Sequence, residues 1–514
     1  MNRFNFRPIL ITTCSLVLGI LSGIVSGYLG INYFILFAII YLLIFSVLFF
    51  IRRKLKLKAV ITYLLAFIVF ITSSVLIFNK GKSVLYCNNA EYEEVVVSGK
   101  IIEINSLTRT ANVEDLYGVT VEGYIKENNE KLKLNFYFYT TDAVYTGSVI
   151  KFKTSLTNYS PTSFNEYLSI LRNGYSYKTS KNSLLEISNP TDFSGKLKRK
   201  IQYNLIKLVP ETAGVIYALI TGEEYVMYQD QMTNFRKLGV SHIFAVSGLH
   251  VGFLYALVIF ILSLFKIKGK KSFFISLIIL FLYVAFCGFS SSSVRALVII
   301  LVSKFAISFS FKNDKLNTYF IALLIILLIN PFNLIKYGTI LSFVAYFGIV
   351  FVSPTVTRMF EKFLPTKFAR GLSTYLVAFF ITLPVVLDYF NGVSLFASIF
   401  NFLIIPLISI IYPFALIGVI LTLVIPFNGF LIIPHLLIKG INYLVGAVYV
   451  DHFYIKDVVF KSSKIPYYLL AIITANKINL TKGEKIFIVT LLILTFILTF
   501  VAVNVNGDIF AIKI

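Results

Sequence analysis

The feature that most limits this chain is a succession of apolar runs of membrane-spanning length. "PILITTCSLVLGILSGIVSGY", residues 8–28, is followed at once by runs at 31–51 and 59–78. Further runs lie at 242–265, 272–289, 292–310, 317–335, 338–354, 372–389, 394–425, 430–450 and 486–504, with 394–425 expected to divide near Pro406 or Pro413. A helix of about 20 apolar residues crosses the hydrocarbon of a bilayer, so the expected class is a polytopic α-helical membrane protein of about 12 to 13 spans. With 57% hydrophobic and only 14% charged residues, a soluble globule with an ordinary polar surface is excluded.

The formal net charge of +23 has to be read by position first. Short cytoplasmic loops of membrane proteins collect Lys and Arg. "RRKLKLK" at 52–58, "KIKGKK" at 266–271, the loop 358–370 and "NKINLTKGEK" near 476–485 all fall on one side of the expected topology. Together with the N-terminus and residues 312–315 they hold about +17 of the charge, so most of the basicity is topogenic and that side is the cytoplasm. The first run is not a cleavable signal peptide, because two more spans follow directly. Ser15, Gly19, Gly23 and Gly27 recur along one face of it, a small-residue stripe that lets another helix approach closely.

Four regions follow from this. Residues 1–78 form a three-span membrane segment. Residues 79–195 replace apolar runs with short alternating segments such as "EEVVVSGKIIEI" and "KLKLNFYFY", read as a small extracellular β domain, barrel-like or OB-like. Past residue 150 that domain has roughly nine basic to three acidic residues, and two readings stand: a surface tracking a nucleic-acid strand, or an ordinary solvated barrel that props the membrane part. Residues 196–240 lack a clean apolar core and read as amphipathic interfacial helices. Residues 241–514 carry the remaining spans.

Chemistry-bearing motifs are few. Cys14 and Cys287 sit in expected spans and Cys87 stands alone in the outer domain, so that domain forms no internal disulfide. His242, His250, His435 and His452 are dispersed, without zinc-binding spacing, and no Walker A loop occurs. No metal, cofactor or catalytic residue is expected. The stretch "RKLGVSHIFAVSGLHVGFLYAL", 236–257, is the exception to this plainness. Read as one helix, it puts Ser241, Ala245, Gly248 and Gly252 in a narrow arc and His250 nearly opposite. Ser247 and His250, three apart, have the spacing of a nucleophile and its base, yet no carboxylate lies nearby in sequence to orient the imidazole.

"GVSHIFAVSGLHVG" resembles the central signature of the ComEC family, the membrane channels of bacterial natural transformation. The resemblance continues through "ALITGEE" at 218–224, "CGFSSSSVRA" at 287–296, "NPFNLIKYGTILSFVAYFGI" at 330–349 and "LPVVLDYFNGVSLFASIFNFLIIPL" at 383–407, with "SFNEYLSILRNGYSYK" at 163–178 similar to the end of the family's outer domain. It implies transport of single-stranded DNA across the cytoplasmic membrane. It assigns His242, Ser247, His250, Ser292, Arg295 and Asn401 to the DNA pathway, and Gly239, Gly248, Gly252, Gly338, Ser342 and Pro406 to helix packing or gating. A buried Arg in a span costs about 2.5–3.5 kcal/mol even on lenient scales, which favours a hydrated or anionic path at Arg295. Implied partners are single-stranded DNA, the cell membrane, a DNA receptor, a separate nuclease and a cytoplasmic helicase-like ATPase, with a homo-oligomer left open. Many family members continue into a metallo-β-lactamase-like domain; the chain stops at Ile514, so no nuclease activity of its own is expected. The alternatives are a transporter or flippase of another anionic polymer or lipid, and an intramembrane hydrolase using Ser247 and His250. A reporter enzyme fused near residue 150 is expected to read as external in intact cells; cytoplasmic behaviour would reverse the topology.

Overall fold

The structure, a computed structural model, describes residues 8–51, 57–85, 91–108, 115–126, 131–244, 246–308, 315–390, 392–394, 397–447, 454–456 and 467–468. Cys87, Ala245, His452, most of the basic segments 52–58 and 312–315, the stretch 476–485 and the run 486–504 lie outside the described residues.

In chain order the elements are α1 Pro8–Leu29, α2 Ile31–Ile51, α3 Leu57–Leu85, β1 Tyr92–Thr108, β2 Asp115–Ile125, β3 Lys131–Thr140, β4 Val149–Thr157, α4 Phe164–Asn173, β5 Lys178–Ser188, α5 Phe193–Leu208, α6 Ala213–Thr221 and α7 Gln229–Lys237. Then come α8 Gly248–Leu264, α9 Gly269–Phe286, α10 Ser291–Ser308, α11 Lys315–Ile329, α12 Tyr337–Phe347, α13 Ser353–Phe360, α14 Thr366–Phe390, β6 Gly392–Ser394, α15 Ala397–Val424, α16 Ile432–Ala447 and β7 Tyr454–Lys456. Among the described residues eight helical stretches are long and apolar enough to cross a membrane. The chain is a multi-pass membrane protein with a separate β domain.

Two expected boundaries move. Residues 394–425 do not divide: α15 is one helix with Pro406 and Pro413 inside it. A membrane helix tolerates proline because neighbouring groups re-satisfy the freed carbonyls. The third span runs on to Leu85, and the first strand starts only at Tyr92.

The chain forms two compact units, residues 1–203 with 255–336, and residues 204–254 with 337–514. In the first, the small-residue stripe of α1 meets α3. A Cβ at Gly23 would stand 2.6 Å from Ser74 O and 2.8 Å from Ile77 Cβ, and one at Gly27 would stand 3.2 Å from Gly81 Cα. Ser22 Oγ and Ser74 Oγ hydrogen-bond at 2.6 Å across this contact, and Ser15 Oγ bonds Tyr41 OH at 2.6 Å. With lipid as apolar as the side chains, close backbone approach and these hydroxyl pairs are what hold such helices together.

The β domain is a five-stranded antiparallel sheet in the order β3-β2-β1-β4-β5. Strand alternation builds its core: Leu132, Leu134, Phe136 and Phe138 of β3 are buried, and Phe136 lies 3.9 Å from Phe152 of β4, centroid to centroid. The two edge strands are bridged to each other. Ser176 N donates to Lys133 O at 2.8 Å, Thr179 Oγ1 to Asn135 O at 2.8 Å and Asn182 Nδ2 to Tyr137 O at 3.3 Å, so the sheet curls toward a half-barrel.

One helix ties this sheet to the membrane helices. Ser163 caps α4 by accepting from Glu166 N at 3.2 Å, while Glu166 Oε2 accepts from Thr162 N at 2.9 Å, a bond that holds the Glu166 carboxyl below its usual range. The helix ends at Gly174, whose φ of 67° suits glycine. Fully buried Tyr167 inserts against α1 and α3, its OH donating to Ile24 O at 3.3 Å and lying against the glycines at 27 and 81. Arg172 Nε donates to Ile335 O at 2.9 Å.

In the second unit, the segment expected to be interfacial separates into unlike parts. α6 is buried at all nine positions, an internal helix, whereas α7 is polar with only Phe235 buried. Asn204 Nδ2 donates to Thr422 O of α15 at 2.9 Å, and Thr212 Oγ1 hydrogen-bonds His435 Nδ1 of α16 at 2.9 Å. Between α12 and α13 a π turn, Gly348–Val352, precedes Pro354, which has no N–H to continue the α ladder.

Gly23→Leu is expected to force α1 and α3 apart. Cysteines placed at Ser22 and Ser74 should then fail to cross-link in the Leu variant while cross-linking readily with Gly23 retained, and the melting temperature in detergent should fall.

Candidate functional site

The stretch 236–257 is not one helix. α7 ends at Leu238, and Gly239 takes φ 72°, a left-handed conformation that favours glycine. Gly239 N donates to Arg236 O at 2.9 Å and Val240 N to Phe235 O at 3.0 Å, the paired bonds of a Schellman stop. Val240 and Phe235, which such a stop brings together, are both buried, and the Phe235 ring meets Phe244 edge-on at 4.9 Å. A 3-10 turn, Ser241–Ile243, follows and carries exposed His242.

α8 then starts on Ser247. Its Oγ accepts from Leu249 N at 3.3 Å, and its carbonyl accepts from Val251 N at 3.2 Å. His250 reaches back, and Nδ1 accepts from Ser247 N at 3.1 Å while lying 3.1 Å from Ser247 Oγ. This is a capping box in which His replaces the usual Glu or Gln, flanked by buried Val246 and Val251 at the positions of a hydrophobic staple. An Nδ1 that accepts a backbone N–H carries no proton, so the ring is the neutral Nε2–H tautomer. That Nε2 is buried with no hydrogen-bond partner among the described residues, and the ring stands edge-on to Tyr412 of α15 at 4.6 Å. The serine and histidine are therefore engaged in starting a helix, and among the described residues no carboxylate bonds Nε2.

The serine run repeats the device in the other unit. After α9, Gly288 at φ 71° donates from its N to Ala285 O at 3.0 Å, and Phe289 N donates to Val284 O at 3.0 Å. Ser290 next opens α10, its Oγ accepting from Ser293 N at 3.4 Å and its carbonyl from Val294 N at 3.0 Å. Ser292 lies beside this cap, its Oγ 3.4 Å from Ser290 Oγ. Arg295, one turn further, is only 4% exposed.

The remaining expected residues are scattered. Asn401 is on α15, eleven residues before Tyr412 and so about 16 Å along the helix from it, and its buried Oδ1 has no partner among the described residues. Gly248 is the first residue of α8, and Gly252 has nothing within 4 Å of where a Cβ would stand among the described residues. Gly239 and Ser247 end one helix and start the next, so the stretch 236–257 is not a single helix. Gly338 and Ser342 lie one turn apart on α12, Gly338 exposed and Ser342 half-buried, and Pro406 is exposed on α15. Sequence reasoning missed Tyr412, which no spacing marks, and the bond to "ALITGEE" from buried Tyr217, just before it, whose OH donates to half-buried Glu223 Oε2 at 2.8 Å. Beside that pair, burial pushes the Glu224 carboxyl up, and Arg236 at 3.5 Å only partly offsets this. Among the described residues no group of His, Cys, Asp or Glu is placed to hold a metal.

The competence-protein family model matches residues 219–481, from α6 past the last described strand. The chain belongs to that family, the ComEC family of competence proteins. It is 29% identical over 263 residues to the ComE operon protein 3 of Bacillus subtilis (strain 168), a match covering 50% of this chain and 33% of that protein. The chain thus matches about a third of that relative's length. No solved structure matches it. Both capped serines, Ser247 and Ser290, fall inside the competence-family match.

If Ser247 and His250 act as a cap, His250→Gln should keep the melting temperature near that of the parent, because Gln can accept the same backbone N–H, whereas His250→Leu should lower it. Ser247→Asn should likewise be tolerated and Ser247→Ala should cost about 1 kcal/mol. A detergent melt of the four purified variants checks this; equal loss in His250→Gln and His250→Leu would refute it.

Proposed function

We propose that this chain conducts single-stranded DNA across the cytoplasmic membrane during natural transformation, with its β domain on the outer face. The observation that carries the reading is the competence-family match over 219–481. Physical features agree with it. Across α1–α3 and α8–α16 the sole acidic residue is Asp388, whereas 17 of the chain's 24 acidic residues lie between Glu91 and Asp230. Membrane helices nearly free of carboxylates, with Arg295 buried among them, suit the passage of a polyanion, since each fixed negative charge would repel the phosphates.

The β domain supports an OB-like assignment. With its edge strands bridged, the cyclic strand order becomes 1-2-3-5-4, a five-stranded, partly open barrel of the kind that binds oligonucleotides. The pathway residues are His242, Ser247, His250, Ser292, Arg295 and Asn401. In this reading Ser247 and His250 act by holding α8 at its start, and Arg295 by its charge. Strand degradation and energy fall to partner proteins, a nuclease and a helicase-like ATPase, with a receptor delivering duplex DNA.

Deletion of the gene is expected to abolish uptake of labelled DNA into a nuclease-protected state, and Arg295→Ala to reduce it at least tenfold with membrane insertion intact. Undiminished transformation in the deletion strain, with loss of another anionic polymer from the envelope, would move the reading to a transporter of that polymer.

A further inference from the structure

The basic half of the β domain spends its outward charge within the domain. Lys151 Nζ of β4 pairs with Glu186 Oε2 of β5 at 2.6 Å, and Lys153 Nζ of β4 pairs with Glu94 Oε2 of β1 at 2.8 Å. Both lysines that β4 turns outward are therefore matched by a carboxylate.

The outward face of β2 and β3 is of another kind. Alternation turns Lys131, Lys133, Asn135, Tyr137 and Tyr139 of β3 outward, and the antiparallel register sets Tyr124 beside Lys131, Thr120 beside Asn135 and Gly118 beside Tyr137. Tyr124, Tyr137 and Tyr139 are 47%, 49% and 58% exposed. A strand face turned to water ordinarily carries small polar or charged side chains, and this one carries open rings. Gly118 gives the middle ring its seat. A Cβ there would stand 2.6 Å from Tyr137 Cε1 and 3.0 Å from Tyr137 Cδ1, so the ring lies over the bare backbone of β2 with its other side open. Tyr139 follows about 7 Å further along the strand. Next to Tyr137 the face is fixed by a polar network, in which Asn105 Nδ2 donates to Thr120 Oγ1 at 3.0 Å and to Asn135 Oδ1 at 3.1 Å.

The same face reaches the membrane helices of its own unit. Ser176, two residues beyond the stop of α4 at Gly174, donates from its N to Lys133 O at 2.8 Å, and its Oγ accepts from Lys133 N at 3.1 Å. Lys336 follows the turn Pro331–Ile335 to which Arg172 bonds, and burial and the Lys133 ammonium push its pKa down while Glu103 offsets them in part. Tyr137 and Tyr139 thus stand on a face whose other half lies beside the α4 junction.

We propose that Tyr137 and Tyr139, with Tyr124 at the other end of the face, form a stacking surface for the bases of a single nucleic-acid strand, with Lys131 and Lys133 beside its backbone. This rests on the DNA-conducting reading above and places the strand on the β2–β3 face instead of the basic β4–β5 side. Every base has a π-face, so exposed rings hold a strand without reading its sequence, as conduction of arbitrary DNA requires. A duplex keeps its bases stacked on one another and cannot use them.

Full-length protein in phosphatidylcholine nanodiscs is titrated with fluorescein-labelled oligothymidylate and with an abasic strand of the same length, each over a range of salt. The parent is expected to bind the thymidylate strand more tightly. Tyr137→Ala should weaken that binding about fivefold or more and leave the abasic strand unaffected, with the salt slope kept because no charge is lost. Tyr137→Phe should bind as the parent does, since the ring remains, and so should the double variant Lys151→Gln, Lys153→Gln. Tyr139→Ala leaves the cover of Gly118 in place and reads the same loss if Tyr137→Ala does not fold. Unchanged thymidylate affinity in the folded Tyr→Ala variants overturns the stacking surface, as does a parent that holds both strands equally; a reduced salt slope in the β4 lysine variant would then give the strand to the basic side. A parent that binds neither strand would remove the DNA-conducting reading itself, and the surface with it.

Discussion

Everything in the membrane part of this chain depends on closing helix ends. An α-helix leaves four N–H groups and four carbonyls unpaired at its termini, and near hydrocarbon no water is there to satisfy them. The chain answers with one device used repeatedly. α7, α8 and α9 all end in paired backbone bonds of the Schellman type, at Gly239, Lys266 and Gly288. Lys266 takes φ 61° without being glycine, a conformational cost of about 1–2 kcal/mol that the closed helix end offsets. Two of these stops lead within a few residues into a capped start, at Ser247 and at Ser290. In this chain both stretches are held by backbone hydrogen bonds at helix ends. The apparent catalytic pair is one half of a turn.

Close packing is the second dependency, and it runs outward from α1. Because positions 23, 27 and 81 are glycine, α1 and α3 come near enough for hydroxyl-to-hydroxyl bonding between Ser22 and Ser74. The same glycines leave room for the Tyr167 hydroxyl, so the small-residue contact within the membrane segment also seats α4. From α4 the chain leads directly into β5 and then through Asp192 into α5. A few absent side chains in α1 thus decide where an entire β domain is fastened.

Charge follows from both. The acidic residues gather in the β domain and the helices just after it, while the membrane helices keep Arg295 and Lys304 and almost no carboxylate. Lys304 lies 5.2 Å from the Tyr255 ring centre, and Lys198 lies similarly over Phe286, so aromatic faces accompany these cations. In a medium of low dielectric buried positive charges act over longer distances than they do in water.

The spans were legible in the sequence because apolar length is a local property, and so was the α1 stripe, because a period of four residues on a helix fixes one face. The alternation of β3 likewise announced which side chains would fill the sheet core. The family signature was legible as a signature, while the left-handed turn at Gly239 and the reach of His250 back to Ser247 N depend on φ and on rotamers that a residue string does not state. Pro406 and Pro413 looked like breaks since proline ends helices in water, and only the surrounding helices decide that α15 continues through them. Lys198 carries no motif at all. It counts as one more basic residue in "KLKRK" until the fold turns it inward over Phe286, because burial is set by what packs against a helix, and that partner is almost ninety residues away.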